Sequence, residues 1–193
     1  MLRAALSLAI LAMTLPAQTR LVEGRADSAV RVIIYESLQC GDCTTFRQMI
    51  DERLLPKYGS RVAFEHRDFP LAKHAWSRPA AVASRHFQTI SPELALAWRR
   101  HALDHLRTIT LDNFEQQLRA FATAHKTNPE AAVAALADEK LIALVERDSA
   151  EGVARGIART PTALVNGRPF IEKFTFEEIA AAIDEALAAE GRP

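Results

Sequence analysis

Two stretches of strand-forming sequence are separated by roughly eighty residues that are almost wholly helical in texture. Residues 30–35, Val-Arg-Val-Ile-Ile-Tyr, are β-branched and aromatic and predict a buried strand. Residues 20–23 predict a short edge strand ended by Gly24. Residues 41–56 carry Phe46, Met49, Ile50 and Leu54 at three- and four-residue steps, which predicts a helix stopped by Pro56 and Gly59. Residues 61–67 alternate like a second main strand, closed by Pro70. From residue 74 to 155 the chain is Ala-rich and predicts three to five helices. Ser91-Pro92-Glu93 and Asn128-Pro129-Glu130 have the form of helix starts. Thr110 is placed to cap a helix bearing Phe114, Leu118 and Phe121, and Asp138-Glu139 divides the last long helix. Strand pattern returns at residues 162–165. Asn166-Gly167 then predicts a two-residue hairpin turn, and Thr175 with Glu178 predicts a capping box opening a final helix. The order is therefore β-β-α-β, a helical block, then β-β-α. Strands joined through one helix imply a parallel pair, and the closing hairpin adds antiparallel strands. With 193 residues in all, this predicts one α/β layer fold with a mixed sheet, interrupted by an all-helical insertion.

The first segment reads as an address. Met1-Leu2-Arg3 carries one positive charge, residues 4–15 are apolar apart from Ser7 and Thr14, and Pro16-Ala17 precedes the polar Gln18-Thr19-Arg20. A basic start, a short apolar run and a small residue at the cut describe a secretory signal peptide over residues 1–17. The alternative, an uncleaved membrane anchor, is opposed by a run shorter than the ~20 residues a span needs. The resulting expectation is a periplasmic or secreted protein. Such compartments are oxidising.

Charge excludes some partners. Lys+Arg 24 balance Asp+Glu 24, and loss of residues 1–17 removes only Arg3. No global field favours nucleic acid or an acidic membrane. Arg99-Arg100-His101 is interleaved with apolar residues and reads as a solvated helix edge. His66, Arg67 and Asp68, at a strand end, read as solvated too. No phosphate-binding Gly-rich loop, His-Glu-x-x-His or Gly-x-Ser-x-Gly is present, and no cofactor is expected.

The cysteine content is Cys40-Gly41-Asp42-Cys43, where a strand ends and a helix begins. Free N–H groups and the helix dipole favour a thiolate there. Cys40 faces that end and is expected to be the exposed nucleophile. Cys43, one turn inside, is placed to resolve a mixed disulfide. An inert structural disulfide would close only a tiny loop and restrain little chain entropy. Zinc would need about four ligands, with His66, His74 or a second chain completing the set, and no metal is expected. A second feature is Thr160-Pro161, just before a strand. Proline tolerates a cis bond, and a cis bond there would turn the Thr160 backbone outward as an edge for an extended peptide.

These residues resemble the DsbA-like branch of the thioredoxin superfamily. The resemblance runs from residues 24–30 through Cys40-Gly41-Asp42-Cys43 and Phe69-Pro70-Leu71, with His74 three residues on, to residues 156–162 and Val165-Asn166-Gly167. It implies a thioredoxin fold in residues 18–73 and 156–193 with a helical domain inserted over 74–155. It implies an exported thiol–disulfide oxidoreductase with Cys40 attacking, Cys43 resolving, Pro161 as a cis-proline beside them, and Thr160 contacting the bound client through its backbone. Gly41, Asp42 and His74 are supporting candidates; His74 and Trp76 fall at the start of the insertion, near the rim of the site.

The chain departs from that pattern in three places. Strong oxidases of the family commonly carry Pro-His between the cysteines, where this chain has Gly41-Asp42. An acid there opposes thiolate formation and predicts an intermediate or reducing potential. The buried acid found in many relatives six residues before the first cysteine is replaced by Ile34, and Glu36 is the nearest acid. Ser37 stands where relatives often have Asp. The expected partners are protein or peptide thiols and disulfides and a membrane redox partner. About a dozen residues between the cut and the Val30 strand leave no room for an extra dimerisation domain, so a monomer is expected. Two other functions fit the same residues: a dedicated reductant for one metalloprotein client, and a peptide-binding module without turnover.

Overall fold

Strands form where the β-branched residues concentrate, and helices supply both faces of the sheet they make. The computed structural model describes residues 20–191; the signal peptide expected over residues 1–17 lies outside them. Five strands, β1 (Leu21–Gly24), β2 (Arg31–Glu36), β3 (Ala63–Asp68), β4 (Thr162–Val165) and β5 (Arg168–Ile171), lie in the order β1-β3-β2-β4-β5. β2 and β3 are parallel, and the other three pairings are antiparallel. The mixed sheet flanked by helices is a thioredoxin-type fold.

Between β2 and β3 run α1 (Gly41–Met49), a π turn (Ile50–Leu54) and α2 (Leu55–Tyr58). The helix does not stop at Pro56 as the sequence suggests. The Leu55 N–H reaches back to the Ile50 carbonyl, and this wider turn opens the hydrogen-bond ladder just before a residue that has no N–H to offer. Phe46, Ile50, Leu54 and Tyr58 pack with Val32, Ile34 and Phe64 against one sheet face, joined by Ile179 and Ile183 of the last helix, α8 (Phe176–Glu190). α8 opens on the expected Thr175–Glu178 capping box.

Five α-helices separate β3 from β4: α3 (Ser77–Ile90), α4 (Pro92–Asp104), α5 (Phe114–Ala124), α6 (Pro129–Ala134) and α7 (Glu139–Ala154). Small residues, Ala80, Ala83, Ala95 and Ala102, line the core where α3 meets α4. Phe87, Trp98, Phe114 and Phe121 fill the space around them. The buried Trp98 ring donates its N–H to the Ala80 carbonyl at 2.8 Å. Ser91, Asn128 and Asp138 cap α4, α6 and α7. Thr110 does not cap α5. It exchanges side-chain and backbone bonds with Asn113 in the preceding turn, and α5 begins at Phe114.

α7 lies against the second sheet face at Gly152, where an added Cβ would stand 2.7 Å from the Phe69 ring. Its neighbours there are Tyr35, Phe69, Ile157 and Leu164. β3 does not alternate. Flanked by β1 and β2, it is buried at every position, so Glu65, His66, Arg67 and Asp68 are interior and not solvated.

The β4–β5 turn has both Asn166 and Gly167 at positive φ, 44° and 94°. Asn166 is tied to the start of β2: its Oδ1 accepts from the Arg31 N–H and its own N–H donates to the Arg31 carbonyl. Pro169 sits on the edge strand, where a missing donor costs least.

Candidate active site

Cys40 is the residue at which the chain turns from strand to helix. Its extended backbone, φ −104° and ψ 123°, makes it the N-cap of α1, with no side-chain oxygen to satisfy the free N–H groups of the first turn. Those donors therefore face the sulfur. The Cys40 pKa is lowered to about 6, first by a hydrogen bond from the Cys43 thiol, then by Thr160 and the backbone N–H groups of Cys43 and Asp42, with burial opposing them. Both cysteines are thiols here.

Cys43 has the opposite environment. It is 1% exposed, and its pKa is pushed well above the usual thiol range by burial, by its bond to Cys40 and by the nearby Glu36 carboxylate. One sulfur is thus prepared as a thiolate and the other holds its proton. The expectation of an exposed Cys40 is corrected: the residue is only 7% exposed and sits in a pocket of ≈ 520 Å³ shared with Asp42, Leu71, Lys73, Ala158 and Thr160.

Thr160 brackets the Cys40 sulfur from the β4 side. The Cys40 thiol donates to the Thr160 carbonyl at 3.3 Å, which favours the neutral form. The buried Thr160 hydroxyl has no hydrogen-bond partner among the described residues, which leaves it free to turn to the sulfur, and it is the group of that residue that lowers the Cys40 pKa. The Thr160–Pro161 bond is cis. Next to it, the Pro161 carbonyl accepts from the Glu172 N–H at 2.8 Å, fastening the loop to the end of β5.

The supporting residues divide. Asp42 lines the pocket, and Gly41 opens α1 with nothing within 4 Å of where a Cβ would be. His74 does not line it. Its Nδ1 lies 2.7 Å from the Ser37 hydroxyl, which in turn meets the Ser77 hydroxyl at 2.7 Å. Burial, then Lys73, lowers the His74 pKa, which favours the neutral ring. Ser37 and His74 together pin the start of the insertion to the end of β2. Gln39 adds to this by accepting the Trp76 N–H at 2.8 Å.

Comparison with known proteins matches this fold. A thioredoxin family model matches residues 17–185. The chain belongs to the thioredoxin family. Bacillus subtilis BdbD superposes with a TM-score of 0.78 at 23% identity, covering 88% of this chain and 93% of that one. Wolbachia pipientis α-DsbA2, described as a thiol-disulfide exchange protein, gives 0.75 at 17% identity, with 88% of each chain covered. Chlamydia trachomatis DsbA gives 0.73 at 18% identity, covering 91% and 95%. Among curated protein sequences none matches this chain.

Behind the cysteines of this thioredoxin-family chain lies a buried ionic cluster that sequence reasoning missed. Glu36 accepts from His66 Nδ1 at 2.6 Å and from Arg99 Nε at 3.1 Å. Burial opposes its charge, but Arg99 and His66 hold its pKa down to about 2. His66 also meets Glu23, which is bound by Arg47 and Arg100. Asp68 takes Arg99 on one oxygen at 2.6 Å and Arg85 on the other at 2.6 Å, and Arg85 continues to Asp148. Arg99, read as a solvated edge, is 2% exposed. The signal was its spacing: Ala95, Trp98, Arg99 and Ala102 fall on one buried stripe of α4.

Proposed function

We propose that the protein is an exported thiol–disulfide oxidoreductase that exchanges disulfides with protein clients through Cys40 and Cys43. The observation that carries this reading is the division of the pair, a pocket sulfur with its pKa near 6 beside a buried one pushed far higher. In the reducing direction, the Cys40 thiolate attacks one sulfur of a client disulfide, and the other client sulfur leaves as a thiolate. Cys43 then loses its proton and attacks Cys40, releasing the second client thiolate. The dithiol is oxidised and the client disulfide is reduced by the same two electrons. The oxidising direction is the same path reversed.

Thr160 and Pro161 hold the client backbone beside the sulfur, and Glu36 keeps negative charge near Cys43 so that its proton leaves only during resolution. A Cys40 pKa near 6 falls between the ~7 of thioredoxin and the ~3.5 of DsbA. That favours an intermediate potential, in line with Gly41-Asp42 in place of Pro-His. The protein works as a monomer in the periplasm or outside the cell and exchanges electrons with a membrane partner.

The test is a pair of variants given a client disulfide protein. Cys40→Ser should abolish exchange. Cys43→Ser should accumulate a mixed disulfide between Cys40 and the client, read by mass spectrometry after acid quenching. Retained client binding with no trapped species in Cys43→Ser would instead favour a peptide-binding module.

A further inference from the structure

The pocket at Cys40 does not end at the cysteine. It shares Ala158 and Arg159 with a second, larger groove of ≈ 680 Å³. The floor of that groove is the sheet face where Leu164 pairs with Pro169 and Thr162 with Ile171. Its wall is the segment 155–159, with Ile157 packed against Leu164. α7 ends at Ala154, so the helix that covers Tyr35 and Phe69 on this face stops short of β4 and β5. Ile171 is left 51% exposed. Pro169, two residues earlier on the same face of β5, is exposed as well, so the two form an apolar strip along the groove.

The occupant follows from charge and continuity. The guanidinium groups at the rim are already matched, Arg155 with Glu151 at 3.0 Å and Arg159 with Glu172 at 2.7 Å, so the groove does not call for an acidic ligand. Pro169 removes a donor from the β5 edge, which disfavours a partner that adds a further strand. What remains is an apolar side chain, and the cleft that opens into the groove is the one holding the Cys40 sulfur.

We propose that this groove is a second subsite for the client chain, taking a bulky aliphatic or aromatic side chain two to four residues from the client cysteine held at Cys40. The two clefts adjoin through Ala158 and Arg159, and an extended chain advances roughly 3.3 Å per residue, so the positions tested are those within a few residues of the cysteine. This inference rests on the reading of Cys40 as the exchanging sulfur. It makes clients with an apolar residue near the exchanging cysteine the preferred class.

The test uses reduced protein and ten-residue Ser/Gly/Asn peptides, each with one cysteine held as a mixed disulfide with glutathione. Leu replaces Ser at single positions two to four residues to either side of the cysteine. Oxidised glutathione serves as the reference oxidant for each protein. Cys40 attacks the peptide sulfur, glutathione leaves as its thiolate, and Cys43 then displaces the peptide thiol. Tryptic mapping of the Cys43→Ala protein reports which sulfur was attacked. The expected result is that at least one Leu peptide reacts roughly tenfold or more faster than the all-polar peptide, the scale set by burying one Leu side chain. Relative to the glutathione reference, Ile171→Asp should bring that ratio close to one.

Equal rates for all peptides, with normal glutathione exchange, would overturn the subsite and leave the exchange reading intact. A Leu preference that survives Ile171→Asp would also overturn it, by placing the apolar side chain elsewhere. No exchange even with glutathione would remove the reading of Cys40 and the subsite with it.

Discussion

Cys40 and Cys43 are three residues apart, yet one is prepared to lose its proton and the other to keep it. The difference is local geometry: Cys40 caps α1 and collects donors, whereas Cys43 points into the core toward Glu36. Iodoacetamide alkylation of Cys40 against pH should therefore show a midpoint near 6, well below that of an ordinary thiol. Thr160→Val, which deletes the hydroxyl beside the sulfur and keeps the carbonyl, should raise that midpoint by about half a unit to one unit, the worth of one modest hydrogen bond. An unchanged midpoint would mean that the hydroxyl does not reach the thiolate. Asp42→His should lower the midpoint and make the disulfide more oxidising. The cysteines and Thr160-Pro161 were legible because their spacing and place in the element order carry meaning. Glu36 was not. Alternation along a six-residue strand says which face it shares with Ile34, but not that α4 reaches down to meet it.

At the scale of elements, the sequence of strands and helices along the chain, the inserted helices, the hairpin turn and most caps could be read directly, because periodicity and capping chemistry are local. What misled were charged residues on otherwise apolar stripes. Arg47 follows Cys43 and Phe46 on the buried side of α1, and Asp148 lies with Leu141, Val145 and Gly152 on that of α7. A charge on such a stripe marks a partner from a distant element, which a single sequence does not display. The Gly152 position has a specific reason: α7 can approach Phe69 only without a side chain there. Gly152→Ala gains helix propensity but forces the Phe69 and Tyr35 rings to move. The expected outcome in urea unfolding is a net loss of about 1–3 kcal/mol, with exchange by Cys40 retained.

For the whole molecule, the ionic cluster is what joins the insertion to the sheet. Arg85, Arg99 and Asp148 come from α3, α4 and α7, and they meet Glu36 and Asp68 at the ends of β2 and β3. Arg99→Ala would leave Glu36 with His66 and Asp68 with Arg85 as their remaining side-chain partners and should cost about 3 kcal/mol, the lower end of the usual consequence of breaking a buried pair from one side. The cluster also predicts a pH optimum. Glu36 has its pKa lowered from 4.5 to about 2, so its contribution is present above pH 4.5 and is lost as pH falls toward 2. His66 is fully buried, which works against its charge, but Glu36 and Glu23 outweigh this and raise its pKa above 6.5. Its contribution is complete below pH 6.5 and is lost as pH rises through the raised value. Stability to urea should therefore peak in mildly acidic solution and decline as pH rises above 6.5 through the raised His66 value. His66→Gln should flatten the alkaline decline, and an unaltered decline in that variant would assign it to another group.

The central claim is that Cys40 and Cys43 exchange a disulfide with other thiols, and equilibration with glutathione redox buffers tests it most directly. Thiol alkylation and mass spectrometry would read the fraction of dithiol at each ratio of reduced to oxidised glutathione. The account predicts one two-electron transition, with a midpoint between the roughly −120 mV of DsbA and the roughly −270 mV of thioredoxin. A pair that stays in one state across the whole buffer series would contradict it.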